Sequence, residues 1–241
     1  MALLDVQNVS RFFGGVAALN GVTVSVAEGE VVGVAGQNGA GKTTLVNVIS
    51  GAFPPSSGTV LLEGRPIHGL RPHLIALMGV ARTFQLPRSF VELSVQENVM
   101  VGSLFGAGMR ADTGAAGARA REILELVGLA DRRDESPASL TLAGRKRLEL
   151  ARALAMEPRL VLLDEVAAGL TAVEVEDLLG CLRTVRAGGV SMIVIDHVLE
   201  VLLDFADRMY VLDGGEVIGH GAPADVLSDP AIVAAFIGVR R

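Results

Sequence analysis

"EVVGVAGQNGAGKT", Glu30 to Thr43, decides the fold. Its first half is a continuous apolar run of strand formers, the pattern of a parallel strand covered on both faces. Its second half, "GQNGAGKT" from Gly36 to Thr43, matches G-x-x-x-x-G-K-[ST] in full and opens a helical pattern. Glycines let backbone N–H groups point inward around phosphate oxygens, and a helix N-terminus adds partial positive charge. Gly36, Asn38, Gly39, Ala40, Gly41, Lys42, Thr43 and Thr44 are therefore the candidate nucleotide-binding residues. Lys42 would reach the outer phosphates, and the Thr43 hydroxyl would bind Mg²⁺. Lysine is scarce: only Lys42 and Lys146 occur, so a chance Lys at this position is a poor explanation. A Gly-rich turn without a ligand would not need strand, loop and helix together. The expected ligand is a nucleoside triphosphate with Mg²⁺.

Around this stretch, short β-branched runs alternate with helical patterns, as in a mainly parallel sheet covered by helices. "LVLLD" (Leu160 to Asp164) and "SMIVID" (Ser191 to Asp196) are two further buried strands. "LLDVQNV", "GVTVSVAEGE" and "SGTVLLEGRPI" have the look of a smaller antiparallel sheet. From about residue 86 to 145 the pattern becomes helical, and "GAGMRADTGAAGAR" within it reads as a loop or flexible insert. "RMYVLDGGEVIGHG" reads as a hairpin around Gly214 and Gly215, followed by short helices.

Composition bounds the function. The 241 residues carry a net charge of −6, which argues against nucleic acid as the main partner. A single cysteine, Cys181, excludes an internal disulfide framework and suits a reducing compartment. "MALLDVQNVSRFF" lacks the basic start and apolar run of a secretory signal. No apolar stretch reaches the roughly 18 residues of a membrane span. Mean hydropathy is nevertheless +0.48. Buried parallel strands account for much of that value, and an apolar docking surface for a membrane protein is a candidate for the rest.

"LVLLDE" ends a buried strand in Asp164 and Glu165. At the C-terminal end of a parallel strand, an Asp beside a phosphate loop can hold Mg²⁺, and the next Glu can activate water. Two solvated acids at a strand end would look the same in isolation, and the phosphate loop upstream favours the catalytic reading. No guanine-reading N-K-x-D is visible, which disfavours a GTPase.

"GQNGAGKTTL", "GVARTFQ", "RLELARALAMEPRLVLLDE" and "IDHVLEV" occur in an order and spacing that resembles the ATP-binding cassette (ABC) ATPases, over essentially the whole chain. "ARTFQLPRSFVELSVQENVMVG", "AAGLTAVE" and "GAPADVLSDPAIVAAFIG" are similar to the ATP-binding subunits of branched-chain amino acid importers. The resemblance implies a single nucleotide-binding domain over residues 1–241, a P-loop NTPase with a RecA-like, mainly parallel sheet. It also implies a small antiparallel β subdomain and a helical subdomain inserted at about 86–145. ATP and Mg²⁺ are the implied ligands. The implied partners are a second ABC ATPase subunit, polytopic permease subunits and, indirectly, an extracytoplasmic solute-binding protein, with no nucleic acid. The implied location is peripheral, at the cytoplasmic face of the membrane.

The same resemblance assigns roles. Gln85, ending the "ARTFQ" strand, falls on the Q-loop glutamine that touches Mg²⁺ or the attacking water. His197 falls on the switch histidine at the γ-phosphate, and Phe13 on the aromatic that stacks on adenine, with Phe12 as its rival. Glu165 is the implied base and Asp164 the implied metal ligand. In "LTLAG", Thr141, Ala143 and Gly144 stand where the family's signature usually has Ser, Gly and Gln. That signature meets the γ-phosphate held by the opposing subunit. Thr141 keeps a hydroxyl and is a plausible helix cap, with Leu148, Ala151 and Ala155 as an inward face. Arg145-Lys146-Arg147 reads as a solvated face, or as positive potential near the opposing nucleotide. Val166 replaces a common Pro after the two acids. Thr171 stands where the D-loop often has Asp, which puts coupling across a dimer in doubt. Asp196 and Val198 flank His197 in place of the commoner Glu and Asp. A weakly hydrolysing member of an asymmetric pair, or a soluble ABC ATPase without a transporter, are the alternatives.

Overall fold

The computed structural model describes residues 2–85, 88–107, 112–196 and 198–237. Strands β1 (Ala2–Phe13), β2 (Val16–Ala27) and β3 (Val31–Gly36) lead into helix α1 (Lys42–Ile49). Then come β4 (Ser57–Leu62), β5 (Arg65–Pro66), α2 (Pro72–Leu77) and β6 (Val80–Arg82). Three helices follow, α3 (Val95–Phe105), α4 (Thr113–Leu126) and α5 (Leu142–Ala155). β7 (Leu160–Asp164), α6 (Ala172–Ala187), β8 (Ser191–Ile195) and α7 (Leu199–Phe205) alternate next. The last elements are β9 (Arg208–Asp213), β10 (Glu216–Gly221), α8 (Pro223–Val226) and α9 (Pro230–Ile237). The chain divides into two compact units, residues 1–75 with 191–241, and residues 76–190.

In the first unit, β3 lies between β8 and β9, parallel to both, and β10 returns antiparallel to β9. All six residues of β3 and all five of β8 are buried, which explains why both read as unbroken apolar runs. β2, β1, β4 and β5 form the antiparallel sheet read from the sequence. Its strands alternate: Val22, Val24 and Val26 are fully buried while their neighbours are not.

In the second unit, β6 and β7 run parallel, and α3, α4 and α5 pack together. The stretch "GAGMRADTGAAGAR" corrects the loop reading, because its second half begins α4. Asp112 caps that helix, its carboxylate accepting from the Gly114 N–H at 2.8 Å. Ala116, Gly117 and Ala120 are buried. Small residues that resemble a linker in composition serve here to bring helices close. Residues 108–111 of the stretch lie outside the described residues.

Candidate functional site

The phosphate loop is built in the first unit. β3 ends at Gly36, whose φ of 148° and surroundings exclude a side chain, since a Cβ there would lie 2.3 Å from the Leu212 carbonyl oxygen. Gly41, at φ 104°, opens α1 without a side-chain cap, and a Cβ on it would lie 2.5 Å from the Ala18 carbonyl. The N-cap glycine thus brings no side chain of its own to compete for the N–H groups of the helix N-terminus. The loop is braced from one side: Gly215 N–H donates to Ala40 O at 3.1 Å, and Asn20 N–H donates to Gly215 O at 2.8 Å. Lys42, 6% exposed, donates to the carbonyls of Gly36 at 2.7 Å and Gln37 at 2.9 Å. Its ammonium is thereby stored at the loop. Asn38, Gly39 and Thr43 are exposed, and Ala40 is buried beneath them. Thr44 is half-buried in the first turn of α1.

Phe13 ends β1 opposite Val16 of β2, the strand that packs on Gly41. Its ring meets Phe53 edge-on at 5.4 Å, and the Arg11 guanidinium lies 4.7 Å from its centre. Strand alternation sends Phe12 to the other face, and its N–H donates to Ser56 Oγ. Arg11 and Phe53 form part of this aromatic cluster and were not singled out in the sequence; the Arg at i−2 on the same strand face was the available signal. β8 runs level with β3, Val34 opposite Ile195, so Asp196 emerges at the same edge as Gly36. Asp196 is fully buried and accepts from the Val198 N–H at 3.0 Å. His197 lies outside the described residues.

The second unit gathers the acidic half. β6 stops at Arg82, so Gln85 lies three residues past the strand rather than at its end. Thr83 continues the ladder by one bond, its N–H donating to Leu162 O at 2.9 Å. That register brings Gln85 alongside the end of β7, where its amide donates to the Glu165 carboxylate. Asp164, 4% exposed, pairs with Arg82 at 3.0 Å, and its N–H donates to Thr83 Oγ1 at 3.3 Å. Arg82 was missed in the sequence, although a lone charge in a strand meant to be buried asks for a partner. Glu165 itself adopts φ 51°, which a non-glycine residue takes up only where its surroundings enforce it.

The signature segment is a capped helix start. Thr141 accepts from the Gly144 N–H at 3.2 Å. Leu148, Ala151 and Ala155 are buried, as are Ala143 and Gly144. The basic triplet is not a plain solvated face. Arg145 donates to the Leu140 and Ala138 carbonyls, Lys146 to the Glu165 carbonyl at 2.6 Å, and Arg147 pairs with Asp177. Thr171 caps α6 in a reciprocal box with Glu174.

Each unit carries oxygen donors of the type Mg²⁺ takes: the exposed Thr43 hydroxyl in the first, and in the second the Gln85 amide and the buried Asp164 carboxylate, which faces Arg82. Together the parallel sheet, the glycine loop and the acidic strand end define a P-loop NTPase of the α/β class. Residues 19–168 match the model of the ABC transporter family. A probable branched-chain amino acid transport ATP-binding protein of Archaeoglobus fulgidus is 34% identical over 100% of this chain and 97% of its own. The high-affinity branched-chain amino acid transport ATP-binding protein BraF of Pseudomonas aeruginosa is also 34% identical, over 98% of each. Among solved structures, a nucleotide-free ATP-binding cassette from an ABC transporter superposes with a TM-score of 0.89 at 31% identity, covering 99% of this chain and 100% of that one. The ADP conformation of the cassette MJ1267 gives 0.89 at 31%, covering 99% of each. The chain belongs to the ABC transporter family, and it is an ATPase of that family.

Proposed function

We propose that this chain is the ATPase subunit of an ABC importer for branched-chain or related amino acids, working as one nucleotide-binding domain. The observation that carries the catalytic part is the Gln85 to Glu165 hydrogen bond, which joins the two residues expected to handle the attacking water. The names of the full-length relatives support the substrate class.

Each residue then has a task. Lys42 exchanges its loop carbonyls for the outer phosphate oxygens, and the bare N-terminus of α1 receives the same charge. Phe13 offers its ring to adenine. Thr43, Asp164 and Gln85 would hold Mg²⁺, which when bound neutralises phosphate charge. Glu165 takes the proton of the attacking water while Gln85 orients that water, and His197 reads the γ-phosphate. Thr141, Ala143 and Gly144 present the N-terminus of α5 to a nucleotide on a second ATPase subunit, homologous or identical. ATP binds the closed pair more tightly than the open one, and that difference drives the permease.

A docking surface supports the membrane partner. In the second unit a groove of about 410 Å³ is lined by Phe84, Phe90, Phe105, Met156 and the flanks of Arg82 and Arg152. Phe84, Phe90 and Phe105 are 47%, 46% and 71% exposed, a density of aromatic surface typical of interaction sites. We assign it to a cytoplasmic segment of a polytopic permease, a reading that goes with a peripheral position at the cytoplasmic face of the membrane. No helix of the described residues is long and apolar enough to cross one. An extracytoplasmic solute-binding protein would complete the system. Affinity purification from native membranes tests the reading: polytopic proteins co-purify with the wild type and are lost with Phe105→Glu. Equal recovery with both, or none with either, would defeat it.

A further inference from the structure

We infer that Lys146 is a positioning residue that ties the turn carrying Glu165 to the signature helix, linking hydrolysis at one nucleotide to occupancy of the other. The coupling half of this inference rests on the two-subunit reading above.

Glu165 is held at two points. Its carboxylate accepts from Gln85, and its carbonyl accepts from Lys146 Nζ at 2.6 Å and from the Ala168 N–H at 3.3 Å. The backbone between those points has the left-handed φ of 51°, a conformation that relaxes if its anchors are removed. Lys146 supplies a charged anchor on that carbonyl, and a charged donor makes the stronger bond. A carboxylate displaced by even about an ångström loses much of its catalytic reach.

The other end of the link is the start of α5. Thr141 caps that helix through the Gly144 N–H, and Arg145 locks the preceding turn by donating to Leu140 O at 3.1 Å and Ala138 O at 3.2 Å. Lys146 therefore projects from a helix start tied together by its own hydrogen bonds. If that start engages a phosphate on the opposing subunit, its shift is transmitted to the Glu165 carbonyl.

The choice of lysine is itself informative. Of 21 Lys and Arg residues, only Lys42 and Lys146 are lysines. An ammonium donates from a single compact centre on a flexible stem, whereas a guanidinium presents its donors as a rigid planar fork. Both lysines sit where a point donor meets main-chain carbonyls, one at the phosphate loop and one behind the catalytic acid.

The test measures ATP turnover of the full chain with Mg·ATP, comparing wild type, Lys146→Met and Lys146→Arg, with melting temperature as a folding control. Lys146→Met should lower kcat about tenfold, the worth of a charge-assisted hydrogen bond, and change KM less than about twofold. The Hill coefficient for ATP should fall from above one in the wild type towards one. Lys146→Arg should recover part of kcat. Wild-type kcat and Hill coefficient in Lys146→Met would overturn the inference, as would a loss of kcat matched by KM and melting temperature and unrelieved in Lys146→Arg. A wild-type Hill coefficient of one, with a rate independent of protein concentration, would instead remove the two-subunit reading and the coupling together.

Discussion

Asp164 and Glu165 are adjacent, yet their surroundings assign them different work. Asp164 is buried against Arg82 at 3.0 Å, whereas Glu165 is turned out of the strand by its φ of 51° and reached by Gln85. Removing only Arg82 leaves a buried carboxylate without its cation, a change that costs about 3 kcal/mol or more. Arg82→Met should therefore lower the melting temperature by many degrees, and saturating Mg·ATP should restore part of the loss, because ligand binding favours the folded state. Unchanged melting without ligand would show that the pair is not structural. Cys181 gives a prediction in pH. Burial pushes its thiol up to about 11, with Arg147 opposing weakly. Burial disfavours the charged thiolate, so at pH 8 only about one thiol in a thousand is in the reactive form. Iodoacetamide should label the folded chain about a hundredfold more slowly than the urea-unfolded chain at pH 8, with the gap closing as the pH approaches 11.

The helix starts decide how the variant loops work. Thr171, at the position where the D-loop often has Asp, caps α6: it accepts from the Glu174 N–H, and Glu174 accepts from the Thr171 N–H at 2.8 Å. The Thr171 backbone N–H, followed by its hydroxyl, holds Glu174 below its ordinary carboxylate range. A carboxylate with a depressed folded pKa contributes stability above its unfolded pKa and loses it as pH falls through the folded value. Thr171→Ala should cost about 1 kcal/mol at neutral pH, and Thr171→Ser, which keeps the hydroxyl, close to nothing, as read by urea unfolding. Equal losses from both would show that the cap is not what Thr171 contributes.

At this scale the sequence was readable where one residue's environment determined its pattern. β3, β7 and β8 are buried on both faces, so their apolar runs had one interpretation, and the Thr141 cap followed from its place before an amphipathic run. α4 was not readable, because Ala and Gly serve both loops and close helix contacts, and only α3 and α5 beside it decide the matter. The basic triplet failed for a related reason: Lys146 finds its acceptor 19 residues away, on a carbonyl that no side-chain pattern reveals. Gln85, Asp164 and Glu165 were legible as candidates, but the Arg82 pairing needed the β6 to β7 register.

For the whole molecule, the proposed two-subunit reading makes each protomer, with its single phosphate loop and single signature helix, half of two sites. ATP turnover then belongs to an assembly, and the lone chain should be slow when dilute. The exposed groove of Phe84, Phe90 and Phe105 is the surface proposed above for the permease. The most direct test measures the ATPase rate per subunit across a wide range of protein concentration, with Glu165→Gln alongside. The account predicts that the wild-type rate per subunit rises with concentration, while Glu165→Gln binds Mg·ATP normally and turns over about a hundredfold or more slowly. A wild-type rate independent of concentration, or a Glu165→Gln chain as active as the wild type, would contradict it.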